Sequence, residues 1–167
     1  MGVRAASTPA IAALRRAGVE YRLLPYAFDP ESRSIGLDAA AALGVAPEGL
    51  LKTLVVDVQG VGLVLALIAV DRELDLKATA SAVGGKRASL AGLAAAERAT
   101  GYVKGGISPF GQRRRLPAVV DALTAARERV VVNGGRRGLQ VDIRASDLVA
   151  MLDATTAPIS VAENNIT

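Results

Sequence analysis

A glycine-rich stretch, residues 101–115, contains the residues of this chain best suited to binding an anion. Its sequence, GYVKGGISPFGQRRR, combines four glycines, a Ser-Pro step and three consecutive arginines. Glycine lets the backbone approach a ligand closely, and Pro109 pushes Ser108 toward an extended conformation. Successive free N–H groups in such a turn form a concavity for an anion or a developing oxyanion. The stretch is therefore predicted to be a loop that can hold a negatively charged group.

A purely structural role for this loop stays open, since most glycine-rich turns are only turns and most arginine runs are solvated surface. A nucleotide triphosphate site is excluded. Ile107 stands where a P-loop of the form GxxxxGK needs lysine, and Pro109 would interrupt the helix that must follow.

The composition limits the chemistry further, because the 167-residue chain has no histidine and no cysteine. The commonest general base and metal ligand is therefore missing, together with disulfides, thiolate metal sites and a cysteine nucleophile. Any reaction must depend on Lys, Asp, Glu, Ser, Thr, Tyr, backbone amides or the substrate itself. No metal or organic cofactor is indicated. The formal net charge of +4 is compatible with a polyanionic partner.

One lysine, Lys52, lies on the apolar face of a predicted strand. Alternation along the strand places it with Leu54, Val56 and Val58, whereas Thr53 falls on the opposite face. Such a lysine either extends to water at the sheet edge or lines a pocket. Both interpretations remain open at this point, and Lys52 is the charge most in need of an explanation.

The elements that must position these residues alternate irregularly between helix and strand, which favours a mixed α/β (α+β) domain over regular βαβ repeats. Residues 1–167 are interpreted as one domain whose core is built from Ala, Val and Leu, because aromatic residues make up only 3%. Five helices are predicted: one after Thr8, one over residues 36–43, one from Asp75 to Gly84, one from Ser89 to Gly101, and one from Ser146 to Leu152. The predicted strands are 19–23, 51–57, 62–70, 117–122, 129–132 and 139–143, with a glycine- and arginine-rich turn at 133–138.

The chain shows no segment typical of a membrane or secreted protein. The longest apolar run, residues 61–70, is too short to cross a bilayer, and the N-terminal sequence MGVRAASTP lacks the apolar segment of a signal peptide. We therefore expect a soluble cytoplasmic protein, with a frayed NNIT tail.

Several motifs occur together in an order that resembles one known family. They are TPA, a tyrosine ahead of Asp-Pro, LLKTLVV, LDLK, TGYVKGGISPFGQRRRLP, NGGRRGL and SDLVAMLDA. This order resembles the YbaK/EbsC-type family of free-standing aminoacyl-tRNA editing proteins, which is related to the editing insertion of bacterial prolyl-tRNA synthetases. The resemblance covers about residues 8–157, and its specific features are GGISP and the lysine of KTLVV. The GGISPFGQ segment is most similar to the branch that removes cysteine from mischarged tRNA(Pro).

The resemblance implies a fold and an activity. The fold is a mixed sheet curled into a partial barrel, with helices packed around it. The activity is hydrolysis of the ester that joins an amino acid to the tRNA 3′ end. The acceptor end of aminoacyl-tRNA is then the ligand and prolyl-tRNA synthetase a candidate partner, while neither DNA nor a membrane is implied.

The resemblance also implies site residues. Lys52 matches the key lysine of the family, and Tyr26 matches a pocket tyrosine. Gln140 stands where this branch often has an acidic residue, and Asp142, two residues on along the same strand face, offers a carboxylate nearby. The residues that match the two pocket loops are Gly105, Gly106, Ile107, Ser108 and Pro109 in the first and Gly134 and Gly135 in the second.

These residues allow a mechanism without a conventional triad. An aminoacyl ester is already activated, so the protein need only orient it and stabilise the developing charge. We expect the amides of Gly106, Ile107 and Ser108 to contact the carbonyl oxygen or the amino acid, while the thiol of a cysteine substrate attacks. Lys52 would bind the terminal phosphate or polarise the leaving ribose oxygen. The residues expected to contact the acceptor-stem backbone are Arg113, Arg114, Arg115, Arg136 and Arg137.

Two other classes of function remain open from the sequence. One is a deacylase for a different misacylated tRNA, such as Ala-tRNA or Ser-tRNA, since a missing methylene supplies only about 1–3 kcal/mol of discrimination. The other is a binding module with the same fold and no catalysis, for which Gln140 leaves room.

Overall fold

The first helix, α1 (Pro9–Ala17), forms where the sequence predicts it. Thr8 caps it by accepting a hydrogen bond from the Ile11 amide at 3.1 Å. Pro9 occupies the first helical position, where a missing N–H removes no intrahelical bond. Gly18 ends the helix in the left-handed conformation, with a φ of 68°. The local signals of the sequence are therefore sufficient to define both ends.

The computed structural model describes residues 7–163, so the predicted fraying of the NNIT tail concerns a segment outside the described residues. The helices are α1, α2 (Ile35–Leu43), α3 (Leu76–Ala82), α4 (Leu93–Thr100), α5 (Ala122–Ala125) and α6 (Ala145–Leu152), with a short 3-10 turn at Pro47–Gly49. The strands are β1 (Tyr21–Pro25), β2 (Leu51–Val58), β3 (Gly62–Ala69), β4 (Arg72–Leu74), β5 (Ala88–Leu90), β6 (Ala118–Asp121), β7 (Arg129–Arg136), β8 (Leu139–Arg144), β9 (Thr155–Ala157) and β10 (Ser160–Ala162).

The strands form two larger sheets and a small one. The first is three-stranded and antiparallel, in the order β1-β8-β7, and the second is mixed, in the order β5-β2-β3-β6-β9. The pair β10-β4 completes the set. The two larger sheets meet where Leu50 pairs with Val131 in a parallel bridge just before β2. Over residues 7–163 the strands form no closed barrel. The predicted mixed α/β fold is confirmed, and the predicted partial barrel is compatible with this strand order.

The core lies on both faces of the mixed sheet because successive side chains of a strand point to opposite sides. Leu51 and Val55 of β2 pack into the cluster shared with α1, β7, β8 and α6. Val56 and Val58 pack into a second cluster with Ala80 of α3. Lys52 therefore projects from the same face as Val56 and Val58, as the alternation predicts.

The structure corrects two predicted helix caps. Ser89 lies in β5, paired with Asp57, and α4 begins later with Gly92 at the N-cap. Ser146 lies inside α6, whose N-cap is Arg144 with no side-chain hydrogen bond. In both places a serine near an Ala-rich segment matches the cap pattern by residue type alone. Strand pairing overrides that pattern at Ser89, and an earlier helix start overrides it at Ser146.

Four strands of three residues each, β4, β5, β9 and β10, are not predicted from the sequence. Strand β7 also continues through Arg136, so the predicted 133–138 turn is reduced to the residues around 137–138, with a bulge between Asn133 and Arg136. Within residues 7–163, the helices are all too short or too polar to span a lipid bilayer.

Candidate active site

A cavity of about 790 Å³ opens between the two larger sheets, beside the glycine-rich loop. Its walls come from parts of the chain that are distant in sequence. The start of β2 contributes Lys52 and Thr53, the loop contributes Gly105 and Ile107, and β7 and β8 contribute side chains on one sheet face. The first turn of α2 and the residues before it, 32–37, form the remaining wall.

Lys52 lines this cavity and does not extend away from it at a sheet edge. Its side chain is half-buried and makes no ion pair or hydrogen bond with any other residue in the range 7–163. Arg33 and Lys104 line the same space, and Glu163 is the acidic residue at its rim. Because cations outnumber anions there, the cavity favours a negatively charged or electron-rich ligand.

The loop at 101–115 has no helix or strand, as predicted, and it is held by internal hydrogen bonds. The Gly106 amide donates to the Val103 carbonyl at 2.9 Å, so this amide is already paired and is not free for a substrate. The amides of Gly105, Ile107 and Ser108 have no protein acceptor among the described residues. Of the three residues whose amides were expected to contact the substrate, Ile107 lines the cavity, and the role of these amides stays a prediction.

Ser108 shapes the loop from inside. Its side chain is fully buried, its Oγ accepts from the Phe110 amide at 3.2 Å, and its carbonyl accepts from the Gln112 side chain at 2.9 Å. The hydroxyl of Tyr102 donates to the Phe110 carbonyl at 2.6 Å across the same loop. Ser108 does not line the large cavity, and Pro109 lines a different cavity of about 270 Å³ behind the loop.

The two glycine-containing segments interlock next to the cavity. A Cβ atom on Gly106 would lie 3.0 Å from the backbone of Arg136 and Arg137, so any side chain there would push the two segments apart. Asn133 joins the segments: its Nδ2 donates to the Gly105 carbonyl at 3.1 Å, and its Oδ1 accepts from the Gly135 amide at 2.7 Å. The side-chain amide of Asn133 therefore holds the two segments at a fixed distance from each other.

Gly134 and Gly135 support the site from behind and do not line the cavity. The Gly134 carbonyl accepts from the Thr8 hydroxyl at 2.6 Å. Gly135 has a φ of 100°, and a Cβ there would lie 3.1 Å from the Tyr102 ring. These two glycines thus allow β7 to pack against α1 and the loop.

Two further residues expected at the site lie outside the cavity lining. Tyr26 packs in the cluster around Leu50 and Val131, and its buried hydroxyl has no partner in the described part of the chain. Asp142 is held by Arg129 at 2.7 Å and by Arg22 at 3.2 Å. Its carboxylate is therefore committed to the strands on either side and is not offered to the cavity.

The five arginines expected to contact tRNA are all exposed; three of them end the loop, and two lie at the β7–β8 turn. The backbone amides of Arg113 and Arg114 donate to the carbonyls of Thr100 and Ala99 at 2.9 and 3.0 Å. These bonds hold the arginine segment against the end of α4. Arg137 donates from Nε to the Lys104 carbonyl at 2.9 Å and stacks 5.4 Å above the Phe28 ring. Between residues 7 and 163, none of the five guanidinium groups forms an ion pair; the five are Arg113, Arg114, Arg115, Arg136 and Arg137.

Sequence reasoning assigned no site role to several polar residues of the cavity, among them Thr53, Asn133 and Gln140. From the sequence, Asn133 was interpreted only as part of a turn. Gln140 was noted only because it stands where related proteins often have an acidic residue. The available signal was strand alternation, because Asn133 and Gln140 are paired neighbours on β7 and β8 and therefore share one sheet face.

Residues 29–151 match the model of the aminoacyl-tRNA editing domain. The chain belongs to this family. The resemblance carried by GGISP and KTLVV is thereby confirmed, and both the interlocked loops and the large cavity fall almost wholly within the matched editing domain.

Two relatives of this editing-domain protein extend the match over most of the chain. A protein of Enterococcus faecalis, provisionally named Cys-tRNA(Pro)/Cys-tRNA(Cys) deacylase EbsC, is 30% identical over 145 residues, covering 87% of this chain and 88% of the relative. The multifunctional Ser/Thr-tRNA deacylase ProXp-y of Escherichia coli is 34% identical over 141 residues, covering 82% of each chain.

A solved structure agrees with the editing-domain assignment. The crystal structure of a protein provisionally described as a trans-editing enzyme for prolyl-tRNA synthetase superposes with a TM-score of 0.80. The two sequences are 26% identical, and the match covers 93% of this chain and 99% of the other.

Proposed function

We propose that this protein is a trans-editing hydrolase that removes cysteine from mischarged Cys-tRNA(Pro). The general class, an aminoacyl-tRNA deacylase, is confirmed by the editing-domain family and by the activities for which both relatives are named. The specific substrate is supported by the relative named for Cys-tRNA(Pro) and by the GGISPFGQ sequence of the loop. Such an enzyme acts in the cytoplasm, where aminoacyl-tRNA is used.

The observation that carries the proposal is one cavity that holds an unpaired lysine and unpaired backbone amides. Lys52 lies on one wall, and Ile107 lies on another with its N–H free of protein acceptors in the described residues. Ester cleavage needs stabilisation of the carbonyl oxygen as it gains negative charge, and of the ribose oxygen as it leaves. A cation and an amide without a protein acceptor, both on residues that line one cavity, can supply both without histidine or cysteine.

The reaction follows from the chemistry of the substrate. The cysteine thiol attacks the ester carbonyl carbon, the Ile107 amide stabilises the carbonyl oxygen, and the bond to the ribose oxygen breaks. The thiol proton passes to that leaving oxygen, and the amino acid leaves as a cyclic thioester, which water opens to free cysteine. Lys52 either polarises the leaving oxygen or binds the terminal phosphate. The protein contributes orientation and charge stabilisation, while the nucleophile belongs to the substrate.

A second candidate substrate is a seryl ester, favoured by the relative named as a Ser/Thr-tRNA deacylase. A hydroxyl is a weaker nucleophile than a thiol at neutral pH, so a seryl ester would depend on water activated within the cavity. Prolyl-tRNA synthetase is the partner we propose for recruitment, on the basis of the structural relative described as its trans-editing enzyme.

The proposal is tested by deacylation time courses on Cys-tRNA(Pro), Ser-tRNA(Pro) and Ala-tRNA(Pro) with wild type and Lys52→Ala. We expect rapid loss of the cysteinyl ester and a fall of about 100- to 1,000-fold in kcat for Lys52→Ala, the effect of losing one charge-stabilising contact. Lys77→Ala is the matched control, because Lys77 is exposed on α3 and does not line the cavity.

Three results separate the alternatives. Near-wild-type turnover in Lys52→Ala would remove Lys52 from the mechanism. Release of serine with no release of cysteine would replace thiol assistance by water attack. Binding of tRNA with no ester cleavage would favour a non-catalytic binding module.

A further inference from the structure

Glu163 is the one acidic side chain that lines the large cavity within residues 7–163. It shares the cavity with the three cationic side chains described above and forms no ion pair with any of them in that part of the chain. The residue is exposed, so its carboxylate is open to a ligand. It lies C-terminal to residues 29–151, the part of the chain that matches the editing domain.

The strand that leads to Glu163, β10, is anchored by a buried carboxylate. Asp121 is 1% exposed; its Oδ2 accepts from the Ser160 hydroxyl at 2.6 Å, and its Oδ1 accepts from the Ile159 amide at 3.0 Å. Arg72 of β4 also donates from Nε to the Ser160 Oγ at 2.7 Å. A buried carboxylate is costly unless it is hydrogen-bonded, and these bonds satisfy it. The chain is therefore fixed three residues before Glu163.

The strand pairing brings Glu163 near the end of β2 that carries Lys52. Strand β10 is antiparallel to β4, so the residue after β10 lies beside the turn between β3 and β4. That turn contains Val70, which lines the cavity and whose amide donates to the Leu50 carbonyl at 2.9 Å. Leu50 is two residues before Lys52 in the chain. Glu163 therefore adds a negative charge at the same end of the cavity as Lys52.

An aminoacyl ester carries a positive charge of its own, because its α-amino group is protonated at neutral pH. Cationic side chains in the cavity repel that charge, and a carboxylate offsets the repulsion and accepts charge-assisted hydrogen bonds from the ammonium group. The other carboxylate expected at the site cannot serve, since Asp142 is held by Arg129 and Arg22. Gln140 lines the cavity but is uncharged.

Resting on the deacylase function proposed above, we propose that Glu163 binds the α-ammonium group of the aminoacyl ester. The cationic side chains bind the phosphate and ester oxygens, and Glu163 binds the opposite charge of the same substrate. Asp121 and Ser160 are positioning residues, because they fix the strand that brings Glu163 to the cavity. The contact distinguishes an aminoacyl ester from an ester without an α-amino group, and it does so whichever amino-acid side chain is present.

The first test compares kcat/KM for a cysteinyl ester of tRNA(Pro) and for its 2-hydroxy analogue, in which a hydroxyl of similar size replaces the ammonium group. The two esters differ in intrinsic reactivity by the same factor for every variant, so a change in their ratio reports the ammonium contact. Glu163→Gln keeps the side-chain size and removes the charge. It should lower the wild-type ratio by about 10-fold, the effect of losing a hydrogen bond between charged groups.

Glu73→Gln is the matched control for this test. It removes the same charge from the neighbouring strand β4, at an exposed position that does not line the cavity, and it should leave the ratio unchanged. Ser160→Ala tests the positioning role, and it should lower the ratio by part of the Glu163→Gln effect. Thermal unfolding detects a folding defect in Ser160→Ala, whereas the exposed Glu163→Gln should unfold at the wild-type temperature.

Three outcomes would overturn the ammonium contact. Equal slowing of both esters by Glu163→Gln would assign Glu163 to a group that both esters share, such as the ribose. An unchanged ratio in Glu163→Gln would leave the carboxylate without a role in recognition of the amino group. An equal fall of the ratio in Glu73→Gln would show that net charge alone is responsible.

A second test does not depend on turnover. Cysteinyl-adenosine and its 2-hydroxy analogue, each linked through a 3′ amide, resist hydrolysis, and calorimetry gives their affinities for the wild-type protein. Tighter binding of the cysteinyl form, lost in Glu163→Gln, supports the contact even if no ester is cleaved, in which case only the deacylase proposal fails. Cleavage of esters with equal affinity for both analogues leaves the deacylase proposal standing and overturns the ammonium contact.

Discussion

Single residues at this site act mainly by making close contacts possible. Gly106 permits backbone contact with Arg136 and Arg137, and Asn133 connects the same two segments by hydrogen bonds. The Tyr102 hydroxyl stabilises the loop by donating a hydrogen bond to the Phe110 carbonyl. The shape of the cavity wall therefore depends on residues that do not all touch the cavity.

Tyr102 predicts a dependence of stability on alkaline pH. Burial raises the pKa of Tyr102 to about 12 from its ordinary value of 10.0. The folded state holds the phenol protonated, so its stabilising contribution is complete below pH 10.0 and is lost as pH rises through about 12. Urea unfolding at about pH 9 and about pH 11 should show a smaller loss of stability in Tyr102→Phe than in wild type. An equal loss in both, with Tyr21→Phe as the matched control, would contradict the assignment.

At the scale of elements, the site lies where two sheets meet, and ion pairs hold the three-stranded sheet together. Asp142 on the central strand of the three-stranded sheet binds Arg22 of β1 and Arg129 of β7. The hydrogen bond with Asp142 raises the pKa of the Arg129 guanidinium above its ordinary value. This carboxylate therefore connects all three strands at the end away from the cavity.

Asp142→Ala should reduce stability without reducing the rate of deacylation. Its hydrogen bonds to charged groups are partly solvent-screened, because Arg22 is largely exposed, so the free energy of unfolding should fall by about 1–2 kcal/mol. Denaturant titration measures this fall, and Asp57→Ala, exposed on β2, is the control. A large drop in kcat at unchanged stability would instead return Asp142 to the substrate site.

Elements defined by local patterns were predictable, and those defined by distant pairing were not. The strands predicted at 51–57 and 62–70 are found at Leu51–Val58 and Gly62–Ala69, because two apolar runs separated by polar and glycine residues specify them locally. Strands β4, β5, β9 and β10 have three residues each, too few to show a period, and form only because a partner strand lies beside them. The same limit applies to the site. Lys52 could be identified because a lysine is unusual on the apolar face of a strand. The hydrogen bonds of Asn133 to Gly105 and Gly135 could not be predicted, because they join segments that meet only in the folded protein.

At the scale of the whole molecule, exposed arginines lie on both of the glycine-containing segments next to the site. Residues 113–115 end the first segment, and residues 136–137 lie against its Gly106. A polyanion bound across both runs would place its end near the cavity. We propose that this surface holds the acceptor stem while the aminoacylated 3′ end enters.

Arg114→Glu and Arg115→Glu should weaken tRNA binding in a salt-dependent way. Removing one phosphate contact should reduce the slope of log affinity against log salt by about 1 and weaken binding across tRNA sequences alike. Filter binding or fluorescence titration over a salt series measures both quantities. Arg87→Glu makes the same charge change at an exposed position that does not line the cavity, and it should have a smaller effect. Identical slopes for all three variants would show that net charge alone is responsible.

The order in which the chain is synthesised also matters for this site. One wall of the cavity comes from residues 32–37 and another from β8, and the Thr8 hydroxyl reaches the Gly134 carbonyl across 126 positions of sequence. Contacts of such long range form late, because the entropy of closing the intervening chain is lost before they are made. A nascent chain therefore has no complete cavity until β8 has left the ribosome, so the protein becomes able to edit only after residues 139–144 have been synthesised and released.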